Sequence, residues 1–339
     1  MCFSSGGVRA TVRSVSEQNS PRDDAPGDPD RAARLAAYLR EAGNNVGRDD
    51  TGAMPALRPK VSPPPGDRPM VMVLAFEGWN DAGGAASSAV RSLGDAFSAE
   101  MIERIDDEEY YDFQFTRPSI RRTGGHREIA WPSTKIFRAS PEKAPFDLLL
   151  VHGVEPSFRW QAFTADLLTR AAEHHVSGIV LVGALLADVP HSRPIPASLS
   201  SEDEILQDIL EIDAPAYEGP TGITGVLGHT AFQAGVPAVS LWAAVPHYVG
   251  QAPSPKAQLA LMRKLEDLLG LALDVEEVSE DAEAWERGVD DLAQEDEEIA
   301  DYVRRLEEAT DTTDLPEASG EAIAQEFERY LRRRRRPEQ

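Results

Sequence analysis

Short apolar runs alternate with amphipathic stretches from Met70 to about residue 250. VMVLAF (71–76), DLLLVHG (147–153), GIVLVGALL (178–186) and VPAVSLWAAVP (236–246) are almost wholly apolar, as strands covered on both faces are. EMIERI (100–105) and the pair REIAWP and KIFRAS (127–140) mix apolar with charged positions and predict shorter, more exposed strands. Between the runs, AGGAASSAVRSLGDAF (82–97), SFRWQAFTADLLTRAAEHH (157–175) and TGITGVLGHTAFQAG (221–235) predict helices. Asn80 or Asp81 is expected to cap the first of these, and Ser201 with Glu204 has capping-box spacing before ILQDILEI. Prolines 190, 194 and 196 predict a loop after GIVLVGALL. Buried strands separated by helices give a three-layer α/β/α sandwich on a mainly parallel sheet over residues 70–252.

The flanks read differently. Residues 1–69 are rich in Pro, Gly, Ser, Asp and Arg and predict a disordered N-terminal extension, in which DRAARLAAYLREAG (30–43) forms a helix at most transiently. Residues 1 to about 65 are therefore expected to be dispensable for stability, burying too little apolar surface to offset the entropy of ordering. Residues 253–339 predict a C-terminal helical appendage. It starts with Leu259, Met262, Leu265, Leu268 and Leu269 at helical spacing before a C-cap at Gly270, and continues in helices over about 278–309 and 319–336.

The 339 residues, 41% of them hydrophobic, suffice for one large core plus an appendage. A net charge of -24 repels phosphate backbones and anionic lipid, so neither nucleic acid nor membrane is an expected partner. The charge is uneven: residues 271–310 hold sixteen Asp and Glu against three Lys and Arg, a net of -13. The run Arg332 to Arg336 is a counterweight that complements a helix dipole, pairs with that acidic segment or serves a partner. Cys2 is the only cysteine, which excludes an intramolecular disulfide and a cysteine metal cluster and favours a reducing, cytoplasmic setting. The start has no secretory apolar core, and no apolar run is long enough to span a bilayer.

Candidate chemistry gathers where strands end. EGWNDAGG places Glu77, Asn80 and Asp81 after the first strand, where open α/β sheets usually hold ligands. His152 and Glu155 follow the strand DLLLVHG, and Asp188 and His191 follow GIVLVGALL. Convergence of these loops would make a ligand crevice with metal-binding or acid/base capacity; the alternative is a set of caps and hydrogen-bonded loop residues. GxGxxG, GxxxxGK[ST] and GxSxG are all absent, so neither a phosphate-binding loop nor a nucleophile elbow is indicated. Gly222, Gly225 and Gly228 share a helical face and predict close packing. Trp79 and Trp131 are core or interface, and Trp242, in an apolar strand, is assigned to the core. Trp160, Phe163 and Tyr248 are the candidate interface anchors. No catalytic residue, cofactor or metal is assigned.

FEGWNDAGGAAS (76–87), HGVEPSFRWQAF (152–163), GALLADVPHSRPIP (183–196) and above all YEGPTGITGVLGHTAFQAGVPAVSLWAAVPHYV (217–249) resemble the proteasome assembly chaperone 2 family in its actinobacterial form. Together they run through most of residues 70–270. The resemblance implies an α/β/α sandwich with a C-terminal helical element, self-association, and kinship with chaperones that help assemble proteasome core particles. It supplies no established catalytic residues. The expected function is therefore a homo-oligomeric binding or scaffold protein, not an enzyme, with its own copies and proteasome α subunits as partners; the alternative is a small-molecule enzyme using the crevice. Archaeal and eukaryotic assembly chaperones of this kind often end in a hydrophobic-Tyr-any tripeptide. Here the sequence ends Pro337-Glu338-Gln339, with Tyr330 nine residues earlier, so a folded surface is expected to make the contact.

Overall fold

The computed structural model describes residues 29–45, 68–106, 108–250 and 253–312. In chain order the elements are α1 (Pro29–Asn45), β1 (Met70–Glu77), α2 (Ala85–Ala96), β2 (Glu100–Ile105), β3 (Ser119–Thr123), β4 (His126–Ala130), β5 (Thr134–Ala139), β6 (Asp147–Val154), α3 (Trp160–Glu173), β7 (Val176–Ala187), β8 (Ala197–Ser200), α4 (Glu204–Leu210), α5 (Ile223–Gln233), β9 (Ala238–Pro246), α6 (Pro255–Leu269), α7 (Glu276–Glu295) and α8 (Glu297–Thr312).

Seven strands form one sheet in the order β2-β5-β6-β1-β7-β9-β8, and β3 and β4 form a separate hairpin. The apolar runs make the central four, β6, β1, β7 and β9, which are parallel; the flanking β5, β2 and β8 pair antiparallel. The mainly parallel α/β/α sandwich read from the sequence is thus present, with antiparallel margins. Side chains of β1 alternate between the faces. Val71, Val73 and Ala75 join a core with α1, α2, α4 and α6, whereas Met70, Met72, Leu74 and Phe76 join one with α3 and α5. No helix among the described residues is long and apolar enough to cross a membrane.

Several expectations change. The N-terminal extension contains a packed helix: Ala32, Leu35, Ala36 and Leu39 of α1 are buried in the first core. Leu39 lies over Gly178, where a Cβ would come within 2.8 Å of it, and the Tyr38 hydroxyl donates to Asp203 at 2.7 Å. The i, i+3, i+4, i+7 stripe was legible, but the apolar seat that receives it comes from β7, α4 and α6, which no local pattern reveals. This packing argues against the dispensability of residues 1–65, a matter for the truncation described below. α6 packs on α2 and β9 within the sandwich, so the appendage proper begins at α7.

The expected 278–309 helix is two, because Asp296 interrupts it and its carboxylate accepts from the N–H groups of Glu298 and Ile299, starting α8 afresh. Asp203, not Ser201, caps α4 by accepting from the N–H groups of Ile205 and Leu206. Gly270 ends α6 in the left-handed region at φ 60°, as expected. The expected helix 319–336, Tyr330 and the run Arg332 to Arg336 lie outside the described residues.

Candidate functional site

The crevice residues separate into three environments. Gly78, at φ 127°, turns the chain out of β1 and lets it lie against Glu155. The Glu155 carboxylate accepts from the Ile223 N–H at 2.8 Å, at the N-terminus of α5, and from the Trp79 N–H. The Asn80 side chain, nine-tenths buried, points to the same spot, and a side chain at Gly222 would collide with both. The Asn80 carbonyl accepts from the Ala184 N–H, while Asp81 accepts from the N–H groups of Ala86 at 2.8 Å and Ser87 at 3.1 Å. Asp81 is therefore the cap of α2, Glu155 ties the end of β6 to α5, and the buried Asn80 Oδ1 beside it has no hydrogen-bond partner among the described residues. Burial raises the pKa of both carboxyl groups against the hydrogen bonds they accept.

Glu77 and His152 lie on the α2 face. Glu77 pairs with Arg91 at 2.9 Å. The His152 ring stacks on Phe137, centroids 5.0 Å apart and 11° from parallel. A cleft of about 320 Å³ opens here, lined in part by Arg91, Asp95, Phe137, Leu150 and His152. Burial, followed by the charges of Arg91 and Lys135, drives the His152 pKa down to about 4. The unfolded chain takes this proton near pH 6.5, so the contribution of His152 to stability is complete above that pH and is lost as pH falls towards 4. His152→Phe, which keeps the stack, is expected to flatten the fall in thermal midpoint over that window; parallel curves for the two proteins would contradict this.

Asp188 and His191, in the loop after β7, meet the C-terminal helices α7 and α8. Asp188 accepts from the Tyr302 hydroxyl at 2.7 Å and lies 3.3 Å from His247. His191 is 1% exposed, with Nδ1 2.7 Å from the Tyr248 hydroxyl and Nε2 3.0 Å from Asp290. The hydroxyl accepts from the His191 backbone N–H, and the imidazole bridges it to Asp290. This chain of contacts has the outline of a catalytic relay, but burial pushes the Tyr248 pKa up to about 12, opposite to what an activated nucleophile requires. Lys256 donates to the His191 carbonyl and to Glu286, each at 2.6 Å, and Arg193 pairs with Asp311. These contacts clamp the proline-containing loop to α7 and α8. Among the described residues no group of three or more His, Cys, Asp or Glu is placed to hold a metal ion.

The interface candidates also divide. Phe163 is fully buried, edge-on to Phe76 at 5.7 Å and to Tyr110 at 5.3 Å, so it is core, and Tyr248 is part of the clamp. Trp160 is half-buried, and its indole N–H donates to the Pro156 carbonyl at 2.6 Å. Trp242 is half-buried and lies across Gly183, where a Cβ would come within 2.5 Å of its ring.

Apart from Phe232 on the last turn of α5, the exposed Trp and Phe side chains are Trp79, Phe115 at 90%, Trp131 and Phe158. They lie at one end of the sheet, because Ile105 pairs with Thr134 and Thr134 with Gly153, so the segment from β2 to β5 leaves the sheet where β1 and β6 end. Hydrogen bonds fix these loops: the N–H groups of Ser157 and Phe158 donate to the Tyr110 carbonyl, and Trp131 packs on Phe113 at 5.0 Å. Phe158 was hidden inside the expected helix 157–175; α3 starts only after Arg159, at φ 54°, which leaves Phe158 outside it. Phe115 carried no signal beyond being an aromatic among polar neighbours.

No curated protein gives a significant match. A solved PAC2 family protein from Streptomyces avermitilis is 50% identical with a TM-score of 0.65, over 69% of this chain and 99% of that one. The proteasome-assembly chaperone homologue of Mycobacterium tuberculosis is 45% identical with a TM-score of 0.63, over 69% of this chain and 100% of that one. A protein of unknown function from Corynebacterium glutamicum shares the fold at 23% identity and a TM-score of 0.64, over 77% of this chain and 96% of that one. The family model for the PAC2 family matches residues 75–293, which run from within β1 through β9, α2 to α6 and most of α7. With most of the chain matched and two near relatives covered almost end to end, the chain belongs to the PAC2 family.

Proposed function

We propose that this chain works by binding, as a self-associating, chaperone-like scaffold that covers exposed faces of proteasome α subunits during assembly and performs no catalysis. The observation that carries this reading is the aromatic rim of Trp79, Phe115, Trp131 and Phe158, held on hydrogen-bonded loops at one end of the sheet. Large aromatics whose backbone is already fixed lose little conformational freedom when a partner covers them, and they dominate binding energy at interfaces. Three of the polar residues that would otherwise suggest chemistry serve as caps and clamps: Asp81 on α2, Glu155 on α5, His191 between Tyr248 and Asp290. The likeness to the Mycobacterium tuberculosis proteasome-assembly chaperone homologue supports a proteasome-related client.

Two measurements test this. Light scattering on the purified chain at micromolar concentration is expected to return the mass of at least two copies; the mass of one would remove self-association. Purified proteasome α subunits are expected to co-sediment with the chain, and failure to do so would remove the client.

A further inference from the structure

The β3–β4 hairpin stands apart from both cores. Its strands pair from Ser119 with Ala130 to Thr123 with His126, joined by Gly124 and Gly125 at φ 58° and 86°, as a two-residue hairpin turn requires. Nine of the ten strand residues are exposed, and the tenth, Ala130, is half-buried. A two-stranded ribbon that packs on nothing is marginal in water. Its faces differ. Ile120 opposite Ile129 and Arg122 opposite Arg127 share one face, and Arg121 opposite Glu128 lies on the other. Two arginines directly opposite each other repel, so the first face calls for an anionic partner that also covers two isoleucines.

The same chain presents such a surface near the other edge of its sheet. The hairpin is inserted between β2 and β5, whereas α7 and α8 are anchored to the loop after β7 and the turn after β9. Residues 276–312 contain sixteen Asp and Glu against three Lys and Arg. Ala282, Val289 and Ala293 of α7 face inward, and the outward stripe carries Asp291, Leu292 and Glu295, with Gly288 open above it. Leu292 is 50% exposed between the two carboxylates.

We propose that the β3–β4 hairpin of one copy docks on the acidic outer face of α7 in the next, Ile120 and Ile129 covering Leu292 while Arg122 and Arg127 meet Asp291 and Glu295. This rests on the reading that the chain self-associates, and it names the surfaces. The contact joins two different patches, so it is heterologous, and it repeats from copy to copy instead of pairing two copies face to face. Because the pairing is largely between exposed charges, it weakens as salt rises.

The test is a charge exchange on the full-length chain, read as mass by sedimentation at low and moderate salt. Arg122→Glu with Arg127→Glu is expected to weaken association by about tenfold or more, as is Asp291→Arg with Glu295→Arg. The chain carrying all four substitutions is expected to regain the assembly of the wild type. All four positions are exposed, and an unchanged circular dichroism spectrum and thermal midpoint confirm folding. Wild-type assembly in both two-site variants would overturn the proposal while leaving self-association intact. Dissociation that the four-site chain does not repair would overturn the pairing with α7. An unchanged mass with weakened α-subunit binding would assign the hairpin to the client and overturn it as well. A wild-type chain that is itself monomeric would remove self-association and the proposal with it.

Discussion

Removing the chain through Asn45 is expected to lower the thermal midpoint by about 10 °C or more, because α1 is part of the first core. Leu35 and Leu39 are buried there, and full burial of each such side chain stabilises by roughly 1.5–3 kcal/mol. The Tyr38 hydroxyl bond to Asp203 adds about 1 kcal/mol. For a body of this size each kcal/mol moves the midpoint by about 2–4 °C. Loss of the helix also uncovers Gly178 and the β7 surface beneath Leu39. Leu35→Ala with Leu39→Ala in the intact chain is expected to reproduce most of the shift, which separates the packing of α1 from any effect of the preceding residues. Thermal unfolding of the three proteins decides the matter, and midpoints within two or three degrees of one another would show that α1 is not integral.

Phe163→Ala is expected to cost about 3–5 kcal/mol, since it leaves a cavity at the centre of the second core. The ring is edge-on to both Phe76 and Tyr110, so two aromatic contacts are lost with it. Trp160→Ala, at a half-buried position, is expected to cost much less. Denaturant unfolding separates the two. A stable Phe163→Ala protein that had lost client binding would return Phe163 to the interface.

The central strands were legible because they are covered on both sides and hence continuously apolar; β8 was not. Its residues, ASLS, alternate apolar and polar over only four positions, too few to stand out beside a proline-containing loop, and they are a strand because β9 offers them an edge between Ala197–Ala243 and Ser200–Ser240. β3 was missed for a related reason: SIRRT has one apolar position and owes its strand to pairing with β4.

The candidate site illustrates a different limit. Asn80, Asp81, Glu155, Asp188 and His191 do stand where strands end, as the sequence indicated; the Asp81 carboxylate meets only the helix that follows it, as its capping expectation had it, but the partners of the others come from far along the chain. His191 is met by Tyr248 and Asp290, Glu155 by Ile223, and Asp188 by Tyr302. A polar residue type at a strand end is equally consistent with a ligand and with a distant backbone N–H, and only the fold decides between them. Phe163 shows the converse. An aromatic in an amphipathic helix suggested an interface, and α3 turns that face onto the sheet.

The central claim is that the rim of exposed aromatics binds proteasome α subunits. The most direct measurement is a titration of purified α subunits with the wild-type chain and with a Trp79→Ala, Phe158→Ala variant whose thermal midpoint is unchanged. Truncating two such anchors is expected to weaken binding by roughly 30-fold or more, at about 2 kcal/mol for a single hot-spot residue. Equal affinity in the two proteins, or no binding by either, would contradict the account.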